Sequence, residues 1–124
     1  MHKCRSYFNI TSDKEINIDV VCDMLTIDRD EIILSKNSNS ININLCEEYN
    51  IDTNIMLRKT LSNLFGKEDI LRKLKEKYNF TYYLERVVEF DFRCDEPTPI
   101  LGLARDIIEF LYKSGTLDDI DYYI

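Results

Sequence analysis

The stretch that decides the fold runs from residue 80 to residue 94 and reads FTYYLERVVEFDFRC. Successive side chains of a strand point to opposite faces of a sheet, so this alternation predicts one long strand with a buried face and a solvent-facing, acidic face. A sheet covered on one side only follows from it. The even, predominantly apolar positions are Phe80, Tyr82, Leu84, Arg86, Val88, Phe90, Phe92 and Cys94.

Four other segments read as strands. Near the start of the chain, Cys4, Phe8 and Ile10 alternate with Lys3, Arg5, Tyr7 and Asn9. Two short strands are predicted at 31–35 and 41–45, the second with Ile41, Ile43 and Leu45 on one face. Residues 37–40, Asn-Ser-Asn-Ser, suit a hairpin loop between them. The last strand is predicted at 117–124, where polar and apolar residues alternate again.

Four segments have helical spacing. Ser12 and Glu15 form the pattern of a capping box, which predicts a first helix from there to about Leu25. The second helix is predicted at 51–65, with Gly66 as its left-handed terminator. A third follows at 67–77, and its basic outer face is interpreted as a solvated surface. The fourth begins near residue 103 and ends at Gly115.

The predicted elements follow the order β-α-β-β-α-α-β-α-β within a single domain, residues 1–124. Each predicted strand has one apolar face, so the helices must cover a single side of the sheet. We therefore predict an α+β fold, a two-layer sandwich with helices on one face of a mixed or mainly antiparallel, ferredoxin-like sheet. The pattern leaves the order of the strands open.

The net charge of the chain limits the classes of molecule that it is expected to bind. Sixteen Lys and Arg residues against 23 Asp and Glu residues give a net charge of −7. Nucleic acid and anionic membranes select clustered basic residues, so neither is expected as a partner, whereas a basic protein is compatible. The four cysteines lack CxxC spacing, and no apolar run resembles a signal peptide or a membrane span. We therefore expect a cytoplasmic chain with reduced thiols.

The solvent-facing side of the sheet is the surface with the most distinctive chemistry. Tyrosine among carboxylates suits protein binding, because Tyr buries a large area at low entropic cost and still forms hydrogen bonds. An ordinary exposed sheet has the same composition, so both interpretations stay open. The candidate binding residues on this side are Tyr7, Tyr83, Glu85, Glu89, Asp91, Asp119, Asp121 and Tyr123.

Motifs for catalysis, cofactors and metals are weak. Glycine-rich phosphate loops and a GxSxG turn are absent from the sequence, and the single histidine, His2, stands at a terminus that we expect to fray. Glu85, Glu89 and Asp91 could supply paired carboxylates for acid–base chemistry. Asp118, Asp119 and Asp121 are an acidic cluster, but on a strand Asp118 points away from the other two. We predict no catalytic residue, metal site or cofactor.

Arg86 is a charge at an apolar position of its strand. It either pairs with a buried acid or is freed to solvent by a bend in the strand. An unpaired buried charge is costly, and we favour the bend.

The C-terminal part of the chain carries a recognisable pattern. It comprises Pro99-Ile-Leu-Gly-Leu103, then Gly115, then Leu117-Asp-Asp-Ile-Asp-Tyr122. In this it resembles the bacterial family called domain of unknown function 4279. That resemblance implies no established activity, although small acidic domains of this sort recur as antidotes of toxins. We hypothesise a non-enzymatic protein-binding module, with an immunity-type role; the alternatives are a homodimer through the same face and a small-molecule or metal-binding domain.

Overall fold

The computed structural model describes residues 1–34, 38–49, 52–93 and 95–124, and these form one five-stranded sheet with four α-helices. The order of elements is the predicted one. The elements are β1 (Lys3–Thr11), α1 (Ile18–Leu25), β2 (Ile32–Leu34), β3 (Ser40–Glu48), α2 (Thr53–Thr60), α3 (Glu68–Tyr78), β4 (Thr81–Glu89), α4 (Arg105–Ser114) and β5 (Thr116–Tyr123).

The strands lie in the order β2-β3-β1-β4-β5. Only β4 and β5 run parallel, and the other neighbours are antiparallel, which confirms the mixed, mainly antiparallel sheet. The first four strands, with the helices between them, make the βαββαβ arrangement of ferredoxin-like folds. A final α4–β5 unit then adds a parallel strand beside β4, since a parallel neighbour requires a crossover connection.

The helices pack on one face of the sheet and enclose the core. Phe8, Tyr82 and Phe110 are buried at its centre, with ring centroids 5.3 Å apart for Phe8 and Tyr82 and 6.3 Å apart for Phe8 and Phe110. The Tyr82 hydroxyl donates a hydrogen bond of 2.7 Å to the carbonyl of Leu71 in α3, so its buried polar atom is satisfied. The two-layer sandwich is confirmed.

The strand that decides the fold is shorter than predicted. β4 ends at Glu89, which is paired with Lys3 at the start of β1, so the ladder has no further residues of β1 to pair with. Beyond it, Phe92 is 64% exposed, and its predicted place on the buried face is wrong. Phe90 is partly buried and its N–H donates to the carbonyl of Tyr123, 2.8 Å away. Cys94 lies outside the described residues.

A β-bulge in β3 overturns a second expectation. Ser6 is paired with Cys46 and Phe8 with Ile43, so two residues of β3 stand opposite one residue of β1. Asn44 in the bulge has a φ of +56°. The bulge shifts the alternation by one residue, so Leu45 does not share the buried face of Ile43 and is 49% exposed.

The first helix begins later than the capping-box pattern predicts. The backbone N–H groups of Ser12 and Ile16 donate to the carbonyls of Asn39 and Ser38, so these residues form a loop held to the turn before β3. The Ser12 hydroxyl accepts from the N–H of Lys14 rather than from a helical N3 residue. Asn17 is the N-cap that the structure uses, since its side chain accepts from the N–H of Val20.

The second helix ends earlier than predicted. Leu64 donates its backbone N–H to Leu61, three residues back, and residues 61–66 form a tight turn in place of helix. Asn44 donates from its side chain to the carbonyl of Thr60, which therefore has a partner at the helix end. Gly66 does adopt a left-handed φ of +85°, as does Gly115 with +73°. Gly115 is the C-cap of α4, as predicted, whereas Gly66 is the last residue of the turn at 61–66 and does not end α2, so its predicted role as the terminator of the second helix is wrong.

Three basic side chains, two of α3 and one of its N-cap residue Lys67, bind the C-terminal carbonyls of other helices. Lys67 donates to the carbonyl of Leu25 at the end of α1. Arg72 donates to that of Tyr112 at 2.7 Å, and Lys75 to that of Gly115 at 2.7 Å, both at the end of α4. Cations there satisfy orphan carbonyls and oppose the helix dipole. Much of the basic face of α3 therefore has a structural role.

Three predicted boundaries fall on undescribed residues. Ser35, Asn37 and Ile51 lie outside the described ranges, so the first hairpin residue is not placed. Ser38 and Asn39 form a turn, and Ser40 already belongs to β3. None of the helices in the described part of the chain has the length and apolar character to cross a membrane.

Candidate functional site

One face of the sheet is not covered by the helices of the described residues, and we call it the open face. It is made by side chains that alternate with the buried ones on β1, β4 and β5, together with the part of β3 beyond the bulge. Most of these side chains are at least partly exposed, whereas Asn9 and Val87 are buried between their neighbours. The open face comprises Lys3, Arg5, Tyr7, Asn9, Leu45, Glu47, Tyr83, Glu85, Val87, Glu89, Leu117, Asp119, Asp121 and Tyr123.

Strand register concentrates acid at one point of this face. Tyr7 of β1, Glu85 of β4 and Asp119 of β5 lie in one row across three strands. Asp121 follows two residues along β5 on the same face. Carboxylate oxygens of Glu85, Asp119 and Asp121 all lie within 4.8 Å of one another. We call these three residues the acidic triad.

The acidic triad has no basic partner within the described ranges of the chain, whereas neighbouring acids of the open face form ion pairs. Lys3 binds Glu47 with an N–O distance of 2.5 Å, and Arg5 lies 3.7 Å from the carboxylate of Glu89. Among the described residues, no Lys or Arg nitrogen lies within 4.0 Å of a triad carboxylate. In the part of the chain that the structure describes, the triad is therefore a cluster of open-face carboxylates without a basic partner.

Burial and mutual repulsion shift the protonation of the triad. Partial burial raises the pKa of Glu85 to about 8, with a hydrogen bond to Asp119 and the charges of Asp119 and Asp121 adding to the increase. Near neutral pH the Glu85–Asp119 pair therefore shares a proton. Burial, followed by the charge of Glu85, also raises the pKa of the adjacent Tyr7 hydroxyl.

The raised pKa predicts that Glu85→Gln stabilises the protein at alkaline pH. An unfolded Glu ionises near its ordinary value of 4.5, while the folded one holds its proton up to about 8, so native stability falls as pH rises between these values. Glu85 is partly exposed, so after allowance for solvent screening we expect a gain of about 1 kcal/mol at pH 8, or about 3–6 °C in Tm. Thermal unfolding at pH 5 and pH 8 measures it.

The matched control is Glu76→Gln on the exposed side of α3. It should change Tm by the same amount at both pH values. A Glu85→Gln variant whose advantage over wild type does not grow with pH would show that Glu85 ionises normally in the folded state.

The structure brings together most of the predicted binding residues. Tyr7, Tyr83, Glu89 and Tyr123 lie on the open face with the acidic triad, as the alternation predicts. Asp91 does not, because it lies beyond the end of β4, where it binds the N-terminal amine at 3.0 Å and Arg93 at 3.1 Å. These contacts lower the pKa of Asp91.

The predicted carboxylate pairing is replaced by a different one. Glu89 lies by Arg5, and Asp91 is off the face, so Glu85 meets Asp119 and Asp121 instead. The alternation of each strand does predict that Glu85 and the two aspartates face the open side. Their meeting depends on the parallel register of β4 and β5, which has no local sequence signal.

The acidic triad is also the group of side chains that could approach a cation. Its three oxygens come from two strands, whereas Ca²⁺ takes six to eight oxygen ligands in proteins. Asp118, the third acid of the sequence cluster, points to the helix side as predicted. Acidic side chains at this spacing are common on exposed sheets, and they do not by themselves make a metal site.

Arg86 is the clearest correction to the sequence analysis. It is 4% exposed and binds Asp118 through two hydrogen bonds, of 3.1 Å from Nε and 2.7 Å from Nη2. Its Nη1 donates to the carbonyl of Leu101 at 2.6 Å. The strand therefore does not bend to free the charge, and the favoured interpretation was wrong. The guanidinium joins β4, β5 and the segment before α4.

His2 is ordered rather than frayed. It is 4% exposed, its Nδ1 accepts from the N–H of Asp91 at 2.9 Å, and its Nε2 lies 3.3 Å from the carbonyl of Glu96. Its ring meets Phe90 and Phe92 edge-on. These partners fix the tautomer with the proton on Nε2 and give the residue a structural role.

No protein-family model matches the chain, and no curated protein or solved structure is significantly similar to it. Its function must therefore be inferred from the geometry of the open face.

Proposed function

We propose that this protein is a non-enzymatic binding domain that holds a basic segment of another protein on its open face. The observation that supports this most strongly is the acidic triad. Its three carboxylates converge within 4.8 Å, and the described residues offer them no Lys or Arg partner. A Lys or Arg side chain from a partner would supply the missing positive charge through charge-assisted hydrogen bonds.

The surroundings of the triad suit a protein rather than a free ion. Tyr7 and Tyr83 lie on adjacent strands beside it, and Tyr123 is 55% exposed at the end of β5. Exposed Leu45 and Leu117 add apolar area to the same face. Aromatic and apolar groups around a charged centre are typical of the parts of interfaces that contribute most to affinity.

The shared proton on Glu85 makes the affinity for a basic partner depend on pH. A cation placed against the triad favours the ionised carboxylates, so the proton leaves when the partner arrives. Binding would then release a proton and strengthen from pH 6 to pH 8. The neighbouring Glu47–Lys3 and Glu89–Arg5 ion pairs are neutral overall, so the attraction on a basic partner would centre on the triad.

The same features support a proposal for the physiological role of this binding. The net charge of −7 favours a basic partner and disfavours an anionic one. With the resemblance to the domain of unknown function 4279 family, this supports a cytoplasmic antidote that binds a basic toxin. Membership of that family and the immunity-type role remain parts of the proposal.

Capture from cells of the source organism tests the proposal. We expect wild-type protein to retain a basic protein that the variant Tyr83→Ala/Asp121→Lys loses, because the variant removes an aromatic contact and reverses a triad charge. The captured protein is then purified and titrated by calorimetry. The variant should weaken its Kd by at least about tenfold, and added salt should weaken wild-type binding.

The matched control is Tyr112→Ala/Asp23→Lys, which makes the same changes on exposed positions of α4 and α1. It should bind like wild type. Equal recovery of every protein by the wild type and the open-face variant would refute the proposal.

Light scattering of the free protein tests the alternative of a homodimer. A dimer that the open-face variant breaks and the control variant keeps would identify the open face as a homodimer surface instead.

A further inference from the structure

The free edge of the sheet at β5 has the features of a strand-addition site. β5 is eight residues long and pairs with β4 on one side, and no described strand pairs with its other side. The opposite edge, β2, has three residues. An edge strand presents a row of unpaired N–H and C=O groups, which is a template for another strand.

Backbone direction identifies the groups that are free. The carbonyl of Tyr123 accepts from the N–H of Phe90, so Tyr123 turns its backbone groups toward β4. Backbone polar groups alternate in direction along a strand, so those of Asp118, Ile120 and Tyr122 point to the outer edge. These three residues would form the ladder with an added strand.

The side chains of β5 indicate which residues an added strand should carry. On the open face, an added strand would lie beside Asp119 and Asp121, which belong to the acidic triad. On the helix side it would lie beside Ile120 and Tyr122, whose ring stacks on Phe90 with centroids 5.9 Å apart and is 55% exposed. Cross-strand neighbours favour opposite charge on one face and apolar contact on the other.

We infer that the edge of β5 accepts an extended segment of the basic partner in which Lys or Arg alternates with apolar residues. The inference rests on the proposed function, since it states how the partner of the open face is held. Main-chain hydrogen bonds would contribute affinity and the alternate side chains specificity, as in other strand additions. A second copy of β5 is a poorer occupant, because pairing would bring its aspartates against Asp119 and Asp121.

The test uses a synthetic peptide in which lysine alternates with valine. A control peptide has the same side chains and N-methyl groups at alternate residues, so that it keeps its charge and cannot form a ladder. We expect the first peptide to bind and to slow the amide hydrogen exchange of Ile120 and Tyr122 measured by NMR. The N-methylated peptide should bind at least about threefold more weakly.

A pair of variants isolates one backbone donor of the protein. Tyr122→Pro removes the outward N–H, which an edge strand tolerates, and Tyr122→Ala removes the ring and keeps the N–H. Binding of the lysine–valine peptide to Tyr122→Pro should be about threefold to tenfold weaker than to Tyr122→Ala, as expected for one lost hydrogen bond. The peptide comparison stands even where the proline variant folds poorly.

The outcomes separate this inference from the proposed function. Binding that Asp121→Lys abolishes, without protection of the Ile120 and Tyr122 amides, overturns strand addition and leaves binding on the open face intact. Equal binding of the two peptides overturns strand addition as well. Failure of the lysine–valine peptide to bind overturns strand addition. The proposed function is tested separately, by the capture of a basic protein. Protection of the edge amides that appears with protein concentration alone would assign the edge to a second copy of the chain.

Discussion

Phe8→Ala is expected to destabilise the protein by about 3–5 kcal/mol, the largest effect among the substitutions considered. Phe8 is fully buried on β1, and its ring contacts Tyr82 of the neighbouring strand and Phe110 of α4. Alanine would remove the ring that packs against both of these rings across the two layers. The surrounding strands are paired on both sides of β1, so the cavity can collapse only in part.

Urea unfolding measures this loss as a lower midpoint with an unchanged slope. Phe92→Ala is the matched control, because it removes the same ring from a residue that is 64% exposed. We expect the control to cost less than about 1 kcal/mol. Equal losses for the two variants would contradict the position of Phe8 at the centre of the core.

Asp118→Ala is expected to cost about 3 kcal/mol, because it leaves the buried Arg86 guanidinium without its anion. Arg86 has a side chain 5% exposed, whereas that of Asp118 is 30% exposed, so some water reaches the pair and the loss should lie toward the lower end for buried pairs. The bond from Arg86 to the carbonyl of Leu101 would remain, but it does not neutralise the charge.

Chemical denaturation of Asp118→Ala and Asp119→Ala provides the comparison. The two aspartates are adjacent in sequence, yet Asp119 faces the open side, where its loss relieves repulsion from Asp121 and gives up only the hydrogen bond with the partly exposed Glu85. We therefore expect Asp119→Ala to be neutral or slightly stabilising. The double variant Arg86→Met/Asp118→Leu should recover most of the stability, since two apolar residues need no pairing. Similar losses at Asp118 and Asp119 would refute the buried pair.

Strand faces were predictable from local alternation. On β4, Tyr82, Leu84 and Val88 are buried while Tyr83 and Glu85 reach the open face, as the period of two requires. The helix spacing and the single apolar face of each strand were enough for the order of elements and the two-layer architecture. These features depend on neighbouring residues, so they can be read from the chain itself.

Boundaries were less predictable because distant partners decide them. The Ser12 capping box has the right residues, but the N–H groups of Ser12 and Ile16 are taken by the turn before β3. Leu45 has the right parity, but the bulge at Asn44 turns it outward. In each case a tertiary hydrogen bond or register overrides a local pattern.

By itself, the sequence determined which side chains share a face, and so placed Glu85 on the exposed side of β4 and Asp119 and Asp121 on that of β5. Only the tertiary structure decided that these carboxylates converge within 4.8 Å and that Arg86 has a buried partner. The physical reason is that the period of a strand is local. Pairing between β4 and β5 is long-range, because the α4 crossover separates the two strands in the chain.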